Sequence, residues 1–292
     1  MDLDKKILEL IEKSGQDPYI VLDRLFVPYD RDEVRRTRNI RRIPHTADRI
    51  GGKKAYAEWA HVIGIFQTLI YQNLKEKESN QILDVGCGKG LLAIASEPFI
   101  DEYHGLDVGK KEIAFCIEHF TDKKFKFHHL DARNPSYAPK QTTERVAWHF
   151  ENNQFDLVTA LSVWTHFSEF DARFYLNEVA RVLKPSARAL ITMFILDDHY
   201  TQSLSTRKIA ESGRYHSTNQ EDWVFDQPSY GSENWFHPAW AKVPENAIAI
   251  TEAGLKSICQ ESGLSIVDHM TGNWKEYPGV FFQDVLVLEK KG

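Results

Sequence analysis

Ile82-Leu83-Asp84-Val85-Gly86-Cys87-Gly88-Lys89-Gly90-Leu91 decides the reading of this chain. An apolar run ends in a carboxylate. Three glycines then alternate with other residues, and an apolar segment able to start a helix follows. The pattern predicts a tight turn from a buried parallel strand into a helix. Glycines at alternate positions let a ligand approach bare backbone, and the helix N-terminus offers unpaired N–H groups. Such a turn suits a nucleotide cofactor, with a purely structural strand-to-helix turn as the competing reading. The spacing argues against a dinucleotide, whose fingerprint is G-x-G-x-x-G. Here the third glycine, Gly90, comes one residue early and Leu91 takes the expected place. No G-x-x-x-x-G-K-[ST] motif occurs either. Asp84 would repel phosphates but suit a ligand that carries positive charge.

Three more strands are predicted downstream. Tyr103-His104-Gly105-Leu106-Asp107-Val108 is short, apolar and ends in an acid. Asp107 lies at the distance past the glycines where a carboxylate can bind both ribose hydroxyls. A helix with Ile113, Ile117 and Phe120 on one face follows. Phe125-Lys126-Phe127-His128-His129-Leu130-Asp131-Ala132 again ends in an acid, and Asp131 could accept a hydrogen bond from an adenine amino group. Phe155 to Ser162 reads as the fourth strand. Binding sites in open α/β sheets form at the carboxyl ends of strands, where these acids fall. S-adenosylmethionine has a sulfonium, an ammonium and no phosphate, which matches them.

At this point the chain resembles the class I S-adenosylmethionine-dependent methyltransferases. The resemblance rests on Asp84-Val85-Gly86-Cys87-Gly88-Lys89-Gly90, on Asp107, on Asp131-Ala132, and on Phe155-Asp156-Leu157-Val158 through Ser162-Val163-Trp164-Thr165-His166-Phe167. Val179-Ala180-Arg181-Val182-Leu183-Lys184-Pro185 matches the helix end before a fifth strand. It covers residues 54–196 and 250–292. It departs from the family at Ser186-Ala187, where glycines are common. The resemblance implies an α/β fold: a Rossmann-like, seven-stranded mixed sheet flanked by helices. It implies S-adenosylmethionine as cofactor, held by Asp84, Gly86, Cys87, Gly88, Gly90, Asp107, Val108, Asp131, Ala132 and Leu161. Residues 1–75 would form an N-terminal helical cover, 76–196 with 250–292 the cofactor-binding core, and 197–249 an inserted substrate lid.

Composition sets outer limits. The chain has 292 residues, 42% hydrophobic and 27% charged, ordinary for a globular protein whose core needs no disulfides. A net charge of -6 gives no reason to expect nucleic acid as a partner. The cluster Arg31, Arg35, Arg36, Arg38, Arg41 and Arg42 has Asp30, Asp32, Glu33 and Asp48 nearby, and reads as a solvated or ion-paired surface. Three cysteines, Cys87, Cys116 and Cys259, lack framework spacing and suggest reduced thiols in a cytoplasm. The first residues lack a signal-peptide layout, and no apolar run approaches a membrane span.

The remaining pattern concerns the acceptor. Leu3–Ser14 and Lys54–Leu74 read as amphipathic helices, the first with Ile7, Leu8 and Ile11 inward, the second with Tyr56, Trp59, Ala60, Ile63, Phe66 and Ile70. Ser168-Glu169-Phe170-Asp171 is a variant capping box. Ala187–Leu196 is the fifth strand, Thr251–Gly263 a last helix, and Ser265–Met270 with Val280–Leu288 the closing pair. The stretch from Asp197 to Ile248 is aromatic, polar and without periodicity; long segments of this kind tend to be functional. Its Tyr, Trp, Asp, Asn and His residues would suit a polyhydroxylated acceptor, or else form a small satellite core. Gly272-Asn273-Trp274 and Phe282-Gln283-Asp284-Val285-Leu286-Val287 loosely resemble bacterial methyltransferases of sugars and polysaccharides. A hydroxyl acceptor needs a base, and His166, just past Ser162, is the first candidate. His199 is the second, and Asp197-Asp198-His199 could instead hold a divalent metal. The sequence thus predicts O-methylation of a small-molecule or glycan hydroxyl. Methylation of an amine nitrogen, or cofactor binding without catalysis, are the alternatives.

Overall fold

The computed structural model describes residues 3–16, 21, 39–45, 48–49 and 55–292. Arg31, Arg35, Arg36 and Arg38 of the basic cluster lie outside the described residues. Arg42 is within them and pairs with Glu97 at 2.9 Å.

The first five strands, β1 (Gln81–Val85), β2 (Glu102–Asp107), β3 (Phe125–His129), β4 (Phe155–Ala160) and β5 (Leu183–Leu196), run parallel in the order β3-β2-β1-β4-β5. Strand β10 (Asp284–Lys290) lies antiparallel on β5, and β9 (Leu264–Met270) antiparallel on β10. These make the predicted seven. Three further short strands raise the sheet to ten: β8 (Ala249–Thr251) pairs with the last residues of β5, β7 (Trp235–Pro238) with β8, and β6 (Phe225–Pro228) with β7.

Both faces of the sheet are covered, so its strands are apolar on both sides rather than on alternate residues. Within β10, Leu286 and Leu288 pack on one face while Val285 and Val287 pack on the other. Helices α2 (Tyr56–Asn73), α3 (Leu91–Ser96) and α4 (Lys110–His119) cover the second face, through Trp59, Ile63, Phe66, Leu92 and Cys116. Helices α5 (Glu169–Val182) and α7 (Glu252–Ser262) cover the first, through Leu176, Val179, Leu255 and Ile258. The N-terminal helix α1 (Leu3–Ser14) forms as expected, but Leu8 points to solvent. Ser168 caps α5, its hydroxyl accepting from the Asp171 N–H at 3.3 Å. β5 starts at Leu183, earlier than the sequence suggested, because the register slips between Leu183 and Arg188. Ser186 takes φ +63° inside that irregularity, a conformation that glycine adopts most readily.

The segment after β5 folds back as helix α6 (Asp198–Leu204) and the β6–β7 hairpin. Its own cluster contains Phe194, Tyr200, Phe225 and Trp274. A buried ion triad fastens it to the core. The Lys275 ammonium, fully buried, lies 2.6 Å from Asp197 at the start of α6 and 2.7 Å from Asp284 at the start of β10. Asp284 also accepts from Trp274 Nε1 at 2.9 Å and from the Ile195 N–H at 3.0 Å. Burial opposes its charge, yet the His269 hydrogen bond and the Lys275 ammonium hold its carboxyl below the usual range. Removing one partner of such a group strands a buried charge. Lys275→Met should therefore cost about 3–5 kcal/mol in urea unfolding at neutral pH. An unchanged midpoint would show that the triad does not hold the segment.

Candidate active site

At the carboxyl ends of β1, β2, β3 and β4 lies a cavity of about 730 Å³, within the range of small-molecule sites. Its floor is the turn read from the sequence. Gly86, Gly88 and Gly90 all have positive φ, and Gly90 is the left-handed N-cap of α3. A Cβ at Gly90 would lie 2.6 Å from the Phe120 ring, so that position admits only glycine. Asp107, at the end of β2, accepts the Gly88 N–H (2.8 Å) on one oxygen and the Gly109 N–H (2.7 Å) on the other. Each oxygen keeps a second lone pair. Burial lifts its carboxyl above the ordinary value despite those bonds. Asp84 is 1% exposed and is held by the Tyr103 hydroxyl and, at 2.9 Å, by the Thr159 hydroxyl. Burial dominates here too and pushes its carboxyl up to about 7. The lining lysine, Lys89, is paired with Asp48 at 2.8 Å.

His166 sits in the turn after β4, on the cavity wall. Its Nδ1 meets the Glu245 carbonyl at 2.7 Å, so that nitrogen carries the proton. Nε2 is left as the acceptor and faces the Tyr137 hydroxyl at 3.1 Å. Burial lowers the His166 pKa below 6.5, so the ring is neutral near pH 7. Asn134 ties the two together: its Nδ2 donates to the His166 carbonyl at 2.9 Å, and its Oδ1 accepts from the N–H groups of Ser136 and Tyr137.

Of the residues read from the sequence, Asp84, Gly86, Cys87, Gly88, Asp107, Val108, Ala132, Leu161 and His166 all line this one cavity. Gly90 does not line it but shapes the turn beneath it. Asp131 is exposed and does not line it, although its neighbours Leu130 and Ala132 do. His199 lies outside: its ring packs on Tyr277, with centroids 4.1 Å apart. Asp197, Asp198 and His199 do not converge on a metal. Asp197 caps α6 through the Tyr200 N–H, and the carboxylates it does meet surround the Lys275 ammonium. The sequence reading missed Tyr137, Asn134 and Trp148. They sit in the long connection between β3 and β4, whose length at the carboxyl edge was the available signal. Trp148 is 3% exposed, stacks on Tyr175, and its Nε1 has no hydrogen-bond partner among the described residues.

Asp84 makes the stability of this protein depend on pH. Its folded pKa lies above the ordinary 3.8, so the folded state holds the proton more tightly than the unfolded one. That contribution is full below 3.8 and is lost as pH rises to about 7. Asp84→Asn should thus gain stability over wild type as pH rises from 4 to 7. Parallel unfolding slopes for the two proteins across that window would disprove the assignment.

A model described as a methyltransferase domain matches residues 56–269. The chain is 31% identical over 132 residues to an uncharacterised methyltransferase of Bacillus subtilis (strain 168), covering 45% of this chain and 46% of that protein. It is 28% identical over 137 residues to an O-methyltransferase of Pyrenophora dematioidea, covering 44% and 45%. The matched stretch thus spans about half the length of these curated relatives. In fold it is similar to a solved protein of Pyrococcus horikoshii OT3, with TM-score 0.53, 17% identity and coverage of 80% and 92%. A SAM-dependent methyltransferase from Methanosarcina mazei superposes with TM-score 0.50 at 19% identity, covering 76% and 97%. Strand order, glycine turn and family match agree: this chain belongs to the methyltransferase-domain family.

Proposed function

We propose that this chain is an S-adenosylmethionine-dependent methyltransferase acting on a hydroxyl of a small molecule. One observation carries the reading. A single cavity joins two carboxylates, the buried Asp84 and the half-buried Asp107, to a neutral histidine whose Nε2 is free to accept a proton from its hydroxyl neighbour. The carboxylates oppose a pyrophosphate and suit a cationic, phosphate-free nucleoside. The residues fit that group. The outward lone pairs of Asp107 match a ribose diol, and the unpartnered Trp148 Nε1 matches a purine nitrogen. Asp84 matches a positive charge, which would draw its proton off.

Bound S-adenosylmethionine supplies a sulfonium methyl group for in-line transfer. The protein's part is to align the acceptor, exclude water and take a proton. Tyr137 donates to His166 Nε2 and can accept from the acceptor hydroxyl. The acceptor proton then moves to the Tyr137 oxygen while the Tyr137 proton moves to Nε2. The Glu245 carbonyl stabilises the resulting imidazolium at Nδ1.

Calorimetry should detect S-adenosylhomocysteine binding with proton release near pH 6, and Asp84→Asn should abolish the release. Asp107→Ala should weaken binding about tenfold or more, as expected when charge-assisted hydrogen bonds are lost. His166→Ala should lower turnover by roughly 10²–10⁴ with unchanged cofactor affinity. Turnover limited by His166 should hold at pH 7 and fall only below 6.5, because its pKa is lowered. No binding heat at millimolar ligand, or wild-type turnover in His166→Ala, would overturn the respective assignments.

A further inference from the structure

The cavity has two halves. Residues following β1 and β2, with Leu130, Ala132 and Trp148 of the β3–β4 connection, form the nucleoside half, while Asn134 and Tyr137 of that connection face the other half. The turn after β4, the end of β5, the insertion and the start of β10 form the other, which the acceptor must occupy if the proposed function holds.

Few polar groups line the acceptor half: besides the buried Thr165 hydroxyl, which has no partner among the described residues, and the exposed Arg133 at its rim, most are already engaged. Asn134 is committed to the Tyr137 and His166 backbones. Asn246 accepts from the Val243 N–H and donates to Ser136 Oγ at 3.0 Å. Asp171 is held by Arg145 and Ser168. A polyol would find few partners, and a charged amine would find no unpaired carboxylate there. The walls are instead rings. Phe194 and Phe282 are centred 5.2 Å and 4.9 Å from Trp223, a half-buried residue of the insertion, and all three line the cavity with Phe281 and Phe167. Trp223 spends its Nε1 on Thr218 at 2.8 Å, within its own segment.

Besides the Thr165 hydroxyl, one amide interrupts this surface. Gln283, 8% exposed, lines the cavity at the start of β10. Its Oε1 accepts from both Ser162 Oγ (2.9 Å) and Thr192 Oγ1 (2.7 Å). Thr192 Oγ1 in turn accepts from the Ser162 N–H at 2.7 Å, where Ser162 has φ +58°. Two hydroxyl donors on one oxygen fix which end of the amide is which. Nε2 is left as an oriented donor with no partner among the described residues.

We propose that the acceptor is a planar phenol bearing a second oxygen on its ring. The ring packs against the aromatic wall of Trp223, Phe194 and Phe282, and the second oxygen accepts from Gln283 Nε2. The methylated hydroxyl faces Tyr137 and His166. This narrows the acceptor away from the glycans that the aromatic insertion first suggested, and it rests on the methyltransferase reading above.

The test is methyl transfer from labelled S-adenosylmethionine to 2-, 3- and 4-methoxyphenol, phenol and methyl glucoside, with S-adenosylhomocysteine calorimetry in parallel. At least one methoxyphenol should exceed phenol in kcat/KM by about tenfold, the worth of one well-placed hydrogen bond, and methyl glucoside should be inert. Gln283→Leu should bring that methoxyphenol down to the level of phenol while leaving cofactor affinity unchanged. Trp223→Ala, outside the buried core, should raise KM for every phenol. Transfer to methyl glucoside in preference to the phenols, or no preference among the phenols, overturns the proposal. So does a Gln283→Leu protein that loses cofactor affinity and keeps the preference, since the amide would then serve the nucleoside. Intact cofactor binding with no transfer to any phenol overturns the acceptor class alone. Absent cofactor binding overturns the methyltransferase reading, and this proposal with it.

Discussion

Strand β5 changes partners along its length, and the fold depends on how that change is satisfied. It lies against β4 and β10 up to Met193, then continues beside β8 to Leu196. Beyond Met193 the β10 ladder stops, and the Ile195 N–H would be left open in a fully buried place. An orphaned buried N–H costs about 1–3 kcal/mol. The Asp284 carboxylate fills the gap, and the Lys275 ammonium balances the charge this brings inside. The same ammonium reaches Asp197, where the insertion leaves the sheet. One cluster thus lets a seven-stranded core carry a three-stranded extension. Trp223, Asn246 and Ala247 reach the cavity wall because that extension is anchored there.

The cavity itself is built against the local stability of its acids. Asp84 is buried and Asp107 half-buried; desolvation raises both carboxyls, with the charge of Asp107 adding to the effect at Asp84. Hydrogen bonds from Tyr103, Thr159 and two backbone N–H groups offset only part of this. Apolar side chains of similar volume would pack there without that cost. Groups held in so unfavourable a protonation state are characteristic of sites whose ligand completes them. A cationic ligand would do so at Asp84, because its charge lies where the carboxylate lacks a counterion.

How much of this the sequence disclosed follows from the range of the forces involved. The glycine turn was legible because Gly90 meets a local steric demand, a left-handed N-cap pressed against Phe120. Strands β1, β2, β4 and β5 were legible because burial on both faces makes them apolar runs bounded by turns, and the edge strand β3 through the alternation of Phe125 and Phe127 with polar residues. The β6–β7 hairpin was not: its strands are four residues long, contain Pro228 and Pro238, and owe their state to pairing with β8. Asp131 has the expected spacing, but it is exposed and does not line the cavity. Tyr137, Trp148 and Gln283 were invisible for a different reason. The setting of each depends on residues distant in sequence: the Gln283 oxygen is held by Ser162 and Thr192, Tyr137 faces His166, and Trp148 stacks on Tyr175.

His166 shows how such distant contacts decide chemistry. An isolated neutral imidazole can place its proton on either nitrogen, and only one choice leaves a lone pair toward the acceptor. The choice here is made by the Glu245 carbonyl, a backbone group at the end of the insertion. The Glu245 side chain is in turn buried and accepts from the Tyr230 hydroxyl at 2.7 Å, fixing that turn. From the other side, Asn134 holds both the His166 carbonyl and the Tyr137 N–H. The connection between β3 and β4 therefore supplies the hydroxyl, the turn after β4 supplies the ring, and the insertion sets the tautomer. In the proposed mechanism all three segments must be seated for His166 to accept a proton, and the insertion then serves the base as well as the cavity wall.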